Sequence, residues 1–270
     1  MDEEELLNEQ ADELLGDMGD DFEDDLDGFD TESPQGVSVG EYPGDNIEVI
    51  PALMPQSEKG VFGAIETFGE LVKTVQLDIM DGKFVPETTW PYEKNSDGSL
   101  PVPPEILAGP LQFEVDLMVA RPENELLKWS SAGATRIISH IESIEDLDRF
   151  WEEVDWVRTG AVDKTIEIGL ALDIDTPNTD LDPYIDKIDF IQCMGIAKIG
   201  YQGEPFDERV LEKISDLRHH YPNIIISIDG GVNLETAPRL KEAGATRLVS
   251  GSAILNSKDK RETIQMLKLM

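Results

Sequence analysis

Val75-Gln76-Leu77-Asp78-Ile79-Met80-Asp81-Gly82-Lys83-Phe84-Val85-Pro86 reads as a buried strand running straight into an acid-bearing Gly/Pro loop. Val75 to Met80 is mostly apolar, with one carboxylate, Asp78, set inside it. A charge in such a strand is costly unless something pairs with it. The pattern recurs in Phe113-Glu114-Val115-Asp116-Leu117-Met118-Val119 and again in Ile225-Ile226-Ser227-Ile228-Asp229-Gly230-Gly231. A lone aspartate in this place often caps the loop that follows. Three strands that each end on one favour convergence on a shared pocket.

Outward from that stretch the chain alternates strands and helices. Strands are predicted at 47–53, 74–80, 111–118, 136–140, 167–172, 190–194, 224–228 and 247–250. Helices are predicted at 59–72, 122–132 with Gly133 as its stop, 144–157, 208–219, 235–243 closed by Gly244, and 259–267. A helical segment is expected to begin at 103–107 and a short helical turn at 182–185. Eight strands in this rhythm predict a (β/α)8 TIM barrel, with an open doubly wound sheet as the alternative. In a barrel the active site lies at the C-terminal ends of the strands, where Asp78, Asp116, His140 and Asp229 all fall.

The first 45 residues stand apart as an acidic tail, and residues 46–270 form the barrel domain. Residues 1–40 carry sixteen Asp/Glu, and the first basic side chain is Lys59. Leu6, Leu14 and Leu15 line one side of a short predicted helix, and 16–40 has the composition of a disordered segment. The stretch 20–30 resembles a calcium loop but places Pro34 where a bidentate glutamate is required. The net charge of −35 repels polyanions, which excludes nucleic acid as a partner. It suits a protein working in high salt, where screening removes the self-repulsion. No apolar run is long enough to span a membrane, and the acidic N-terminus is not a secretory signal, so a cytoplasmic location is expected. The single cysteine, Cys193, excludes an intramolecular disulfide and reads as a buried strand residue.

The loops after the last two strands carry an anion signal. Gly230-Gly231 and Gly251-Ser252 expose backbone N–H groups where barrels often bind phosphate. Gly200-Tyr201-Gln202-Gly203 lies in a loop placed to close over the same end. Two aspartates across a barrel mouth suit proton transfer at a carbon beside a carbonyl, provided a dry pocket raises their pKa values. Met80, Met118 and Met194 would give such a pocket an apolar lining, to which His140 is added as a satisfied or substrate-facing imidazole in preference to a metal ligand.

The chain resembles the ribulose-phosphate 3-epimerase family in the stretches 78–86, 116–119, 200–206, 228–232 and 251–254, which occur in family order. The resemblance implies a barrel that interconverts D-ribulose 5-phosphate and D-xylulose 5-phosphate, with Asp78 and Asp229 as the acid/base pair. It implies phosphate loops at 200–203, 230–231 and 251–252, and makes a homo-oligomer an expectation. It also implies a divalent metal held by two His and these two Asp. Here the first His position is Gln76 and the second is Asp116. Ala52, Glu87 and Ala197-Lys198-Ile199 depart from the family pattern as well. Gln76, Asp78, Asp116 and Asp229 make an all-oxygen set, which favours Mg²⁺ or Mn²⁺ over Zn²⁺ if the site is kept. Three readings stay open: the pentose-phosphate epimerase, a related barrel isomerase acting on another phosphorylated ketose, and a non-catalytic sugar-phosphate-binding protein. A partner for the acidic tail is unknown.

Overall fold

The computed structural model describes residues 47–92, 99–160 and 166–270. The expectations for residues 1–45 lie outside them. Eight parallel strands close in sequence order into a barrel: β1 (Glu48–Leu53), β2 (Thr74–Met80), β3 (Gln112–Met118), β4 (Arg136–His140), β5 (Glu167–Leu172), β6 (Phe190–Met194), β7 (Ile225–Asp229) and β8 (Arg247–Ser250). The helices are α1 (Glu58–Phe68), α2 (Leu126–Ala132), α3 (Leu147–Gly160), α4 (Arg209–His220), α5 (Ala237–Ala243), α6 (Ser252–Leu255) and α7 (Lys260–Leu269). No described helix is long and apolar enough to cross a membrane.

Strand alternation sorts side chains into two environments. On β2, Val75, Leu77 and Ile79 join the main core between barrel and helices, together with Phe113, Val115 and Leu117 of β3 and Trp129 of α2. The intervening residues of both strands face the barrel axis, and register stacks them as Gln76 beside Glu114, Asp78 beside Asp116 and Met80 beside Met118. The interior is therefore layered. At its floor, Glu48 bridges Arg136 at 3.1 Å and Arg247 at 3.0 Å, and Glu167 bridges the same two guanidiniums at 3.1 and 2.9 Å. A third floor carboxylate, Glu114, lies 3.5 Å from Arg136. The aspartates form the layer near the mouth, and the methionines sit above them.

The helix predicted at 59–72 stops at Phe68, the one predicted from 144 starts at Leu147, Ser252–Leu255 is an added short helix, and three other connections differ in kind. Residues 103–107 form a run of turns, not the start of a helix. Pro101, Pro103 and Pro104 withhold N–H donors, Glu105 takes a left-handed φ of 59°, and the segment hydrogen-bonds to Ser131 and Ala132 of α2 instead. The predicted helix 122–132 is split into a 3₁₀ turn at Pro122–Asn124 and α2. The turn expected at 182–185 is replaced by two 3₁₀ turns, Asn178–Leu181 and Ile185–Lys187. β7 also extends one residue further than predicted, so Asp229 ends the strand itself.

Candidate active site

Asp78, Asp116 and Asp229 are buried, and one oxygen from each lies within 4.8 Å of the others. β2 and β7 are not neighbours, so the contact between Asp78 and Asp229 spans the barrel. Gln76 makes it. Its Nε2 donates to Asp78 Oδ1 at 2.8 Å and to Asp229 Oδ2 at 2.7 Å. Asp116 Oδ2 accepts from Gln192 Nε2 of β6 at 2.9 Å, and Asp116 Oδ1 lies 3.4 Å from His140 Nε2.

Burial sets the chemistry of this layer. It raises Asp78 well above the usual carboxylate range, and repulsion from Asp229 and then Asp116 adds to the shift. Burial, with Asp116 beside it, pushes Asp229 up to about 7. The amide of Gln76 works against both shifts without cancelling them. Burial disfavours charge on His140, but Asp116 and Asp173 outweigh it and bring its pKa to about 10.

Above the acids opens a cavity of about 190 Å³. Asp78 and Asp229 form its base, and Met80, Met118 and Met194 line it together with Ala52. Gly200, Tyr201, Gln202 and Gly203 enclose one side, and Gly230, Gly231, Gly251 and Ser252 another. Gly230 and Gly231 have φ of 92° and 69°. A Cβ on Gly230 would meet Ile196 at 2.7 Å, and one on Gly231 would meet Phe206 at 2.8 Å, so only glycine lets the backbone pass here. No lysine or arginine is among the described residues lining the cavity, which leaves backbone N–H groups and neutral side chains as its anion donors.

His140 is not part of the lining. It is fully buried behind Asp116, with the Phe84 ring packed over it at 5.3 Å and Nδ1 turned toward Asp173 and Glu142. Its expected contact with substrate is corrected on that ground. Gln76 and Asp116 likewise lie beneath the cavity, not on its wall. Two contributors escaped the sequence reading. Asn233 lines the cavity just past the glycine pair, and Gln192 orients Asp116. Gln192 did carry a signal, as an amide in the otherwise apolar run Phe190–Met194.

The donor set fits a divalent ion. Three carboxylates converge, and the buried Gln76 Oε1 and Asp116 Oδ1 have no hydrogen-bond partner among the described residues. Gln76 presents its nitrogen to the aspartates, so as a ligand it would turn its amide over.

Comparison with known proteins gives the chain its relatives. The sequence model described as "Ribulose-phosphate 3 epimerase family" matches residues 49–255. "Ribulose-phosphate 3-epimerase" of Bacillus subtilis (strain 168) is 29% identical over 199 residues, covering 72% of this chain and 85% of the relative. "Ribulose-5-phosphate-3-epimerase, chloroplastic" of Arabidopsis thaliana is 32% identical over 213 residues, covering 74% and 71%. Among solved structures, a crystal structure of KGPDC from Streptococcus mutans superposes with a TM-score of 0.61 at 16% identity, covering 83% of this chain and 95% of that one. At that identity the likeness shows the barrel fold alone.

Proposed function

The chain belongs to the ribulose-phosphate 3-epimerase family, and we propose that it interconverts D-ribulose 5-phosphate and D-xylulose 5-phosphate by moving the C3 proton between Asp78 and Asp229. That it is an epimerase-like enzyme follows from the family; the particular substrate pair and the roles of the residues are our reading. One observation carries it: two carboxylates from non-adjacent strands, both raised in pKa, meet at the base of a cavity walled by glycine loops.

The C3 proton lies beside the C2 carbonyl, so its removal gives an enediolate. Near neutral pH, burial and mutual repulsion keep a proton on one member of the aspartate pair. The ionised carboxylate takes the C3 proton from one face, and the protonated one returns a proton to the other. Each turnover leaves the proton on the opposite residue, which is the state the reverse reaction needs. With its nitrogen turned toward the aspartates, as here, Gln76 fixes one oxygen of each carboxylate and sets the spacing of the pair. The methionine wall neither donates nor removes protons and keeps water from the enediolate. The glycine loops hold the phosphate through backbone N–H groups.

Gln76, Asp78, Asp116 and Asp229 would hold the family's divalent metal, and their oxygens favour Mg²⁺ or Mn²⁺. When bound, such an ion supplies positive charge against the charge developing on the substrate oxygens.

The test is conversion of D-ribulose 5-phosphate by the wild-type chain and by Asp78→Asn and Asp229→Asn, with EDTA, Mg²⁺, Mn²⁺ or Zn²⁺ present. Loss of either acid should lower kcat about 10²- to 10⁴-fold. Faster turnover of another phosphorylated ketose would reassign the substrate. Binding without turnover would make the protein a sugar-phosphate binder.

A further inference from the structure

Behind Asp116 lies a second cluster that the reaction does not use. His140 ends β4, Glu142 sits in the 3₁₀ turn just after it, and Asp173 directly follows β5. One donor atom from each lies within 4.8 Å of the others. His140 Nδ1 is 3.6 Å from Asp173 Oδ1 and 3.8 Å from Glu142 Oε2, too long for hydrogen bonds. Both His140 Nδ1 and Asp173 Oδ1 are buried without a hydrogen-bond partner among the described residues. His140 itself has 0% exposure. A fully buried imidazole nitrogen and a buried carboxylate oxygen thus face one another across a gap that neither closes.

We propose that His140 Nδ1, Glu142 Oε2 and Asp173 Oδ1 form a second cation site, separate from the aspartate layer, that takes a divalent first-row transition ion. An ion bridges donors that stand too far apart to bond directly. The other oxygen of Glu142 is already fixed, accepting from Asp173 N at 2.8 Å and from the Thr176 hydroxyl, so Oε2 is held in place facing the imidazole. One imidazole with two carboxylates suits Zn²⁺ or Mn²⁺ better than Ca²⁺ or Mg²⁺. With Nδ1 on the ion, Nε2 carries the ring proton and faces Asp116 Oδ1 at 3.4 Å. A carboxylate behind a ligating histidine is the recurrent outer support of protein metal sites. Lys213, whose charge both Glu142 and Asp173 feel, is engaged with the Thr176 carbonyl, so it leaves the gap between the three donors open.

The chain has three histidines, and this permits a clean test. In the full-length, untagged chain carrying His219→Ala, His220→Ala, Asp78→Asn, Asp116→Asn and Asp229→Asn, His140 is the sole imidazole and the three carboxylates of the aspartate layer are removed. Zn²⁺ is titrated by equilibrium dialysis, and the zinc K-edge X-ray absorption spectrum of the loaded protein is recorded. The proposal expects one bound zinc with imidazole scattering, and at least tenfold weaker binding after adding Glu142→Gln and Asp173→Asn. Zinc surrounded by oxygen alone, no bound zinc, or affinity unchanged by the two added substitutions would overturn it. Should the added substitutions prevent folding, the spectrum of the parent decides alone.

Discussion

Replacing Glu114 by glutamine should make the protein more stable, and only at high pH. Glu114 is fully buried in the barrel floor, where Glu48, Glu167 and Glu114 share the guanidiniums of Arg136 and Arg247. Glu48 and Glu167 take the short contacts, and Glu114 is left with one of 3.5 Å. Burial therefore dominates, and although Arg136 and Arg247 pull against it, the pKa of Glu114 rises from 4.5 to about 7. A carboxyl whose folded pKa exceeds its unfolded one binds protons better in the native state. Its contribution to stability is fully present below pH 4.5 and is lost as pH rises through about 7. At about 1.4 kcal/mol per pKa unit the loss is about 3 kcal/mol. The amide introduced by Glu114→Gln would be neutral at every pH and keep the shape of the side chain, so the variant escapes that loss. Urea unfolding of both proteins at steps from pH 4 to 8.5 measures it: the two should be near equal at the acid end and diverge by about 3 kcal/mol at the basic end. Parallel curves would refute the reasoning by showing an unperturbed Glu114. Divergence in the opposite direction would show that the Arg136 contact outweighs burial.

Three further outcomes follow from the same structure. Gly231→Ala forces a side chain into a φ of 69° and against Phe206, so it should cost about 1–3 kcal/mol in thermal unfolding and raise KM for the sugar phosphate more than it lowers kcat. Cys193 is fully buried, and burial pushes its thiol up to about 12, so it should resist a thiol-specific reagent at pH 8 until the chain is unfolded. The net charge of −35 should make Tm rise with KCl, most steeply at low salt, because the screening length falls to about 3 Å by 1 M.

The barrel was legible because strand alternation and turn chemistry are local. The strands from Thr74–Met80 to Arg247–Ser250 fall within a residue or two of their predicted places, since each is bounded by glycine, proline or acidic loop residues. Residues 103–107 misled because three prolines and a left-handed Glu105 dock the segment on α2, a tertiary preference absent from its periodicity. Asp78 and Asp229 announced themselves as acids in apolar strands. The orientation of His140 did not, because it depends on Phe84 covering one side and Asp173 drawing Nδ1 to another. Gln192 meets Asp116 from 76 residues away, and the floor network joins β1, β3, β4, β5 and β8. Pairings at such separations are set by barrel closure and register, which no local pattern contains.

If Asp78 and Asp229 move a proton at C3 of a pentulose phosphate, solvent exchange reads that movement directly. D-ribulose 5-phosphate is incubated in D₂O with the full chain, once with EDTA and once each with Mg²⁺, Mn²⁺ and Zn²⁺, and followed by NMR. The account predicts deuterium at C3 as D-xylulose 5-phosphate forms, lost in Asp78→Asn and in Asp229→Asn. A folded wild-type protein that exchanges no C3 proton under any of these conditions would contradict it.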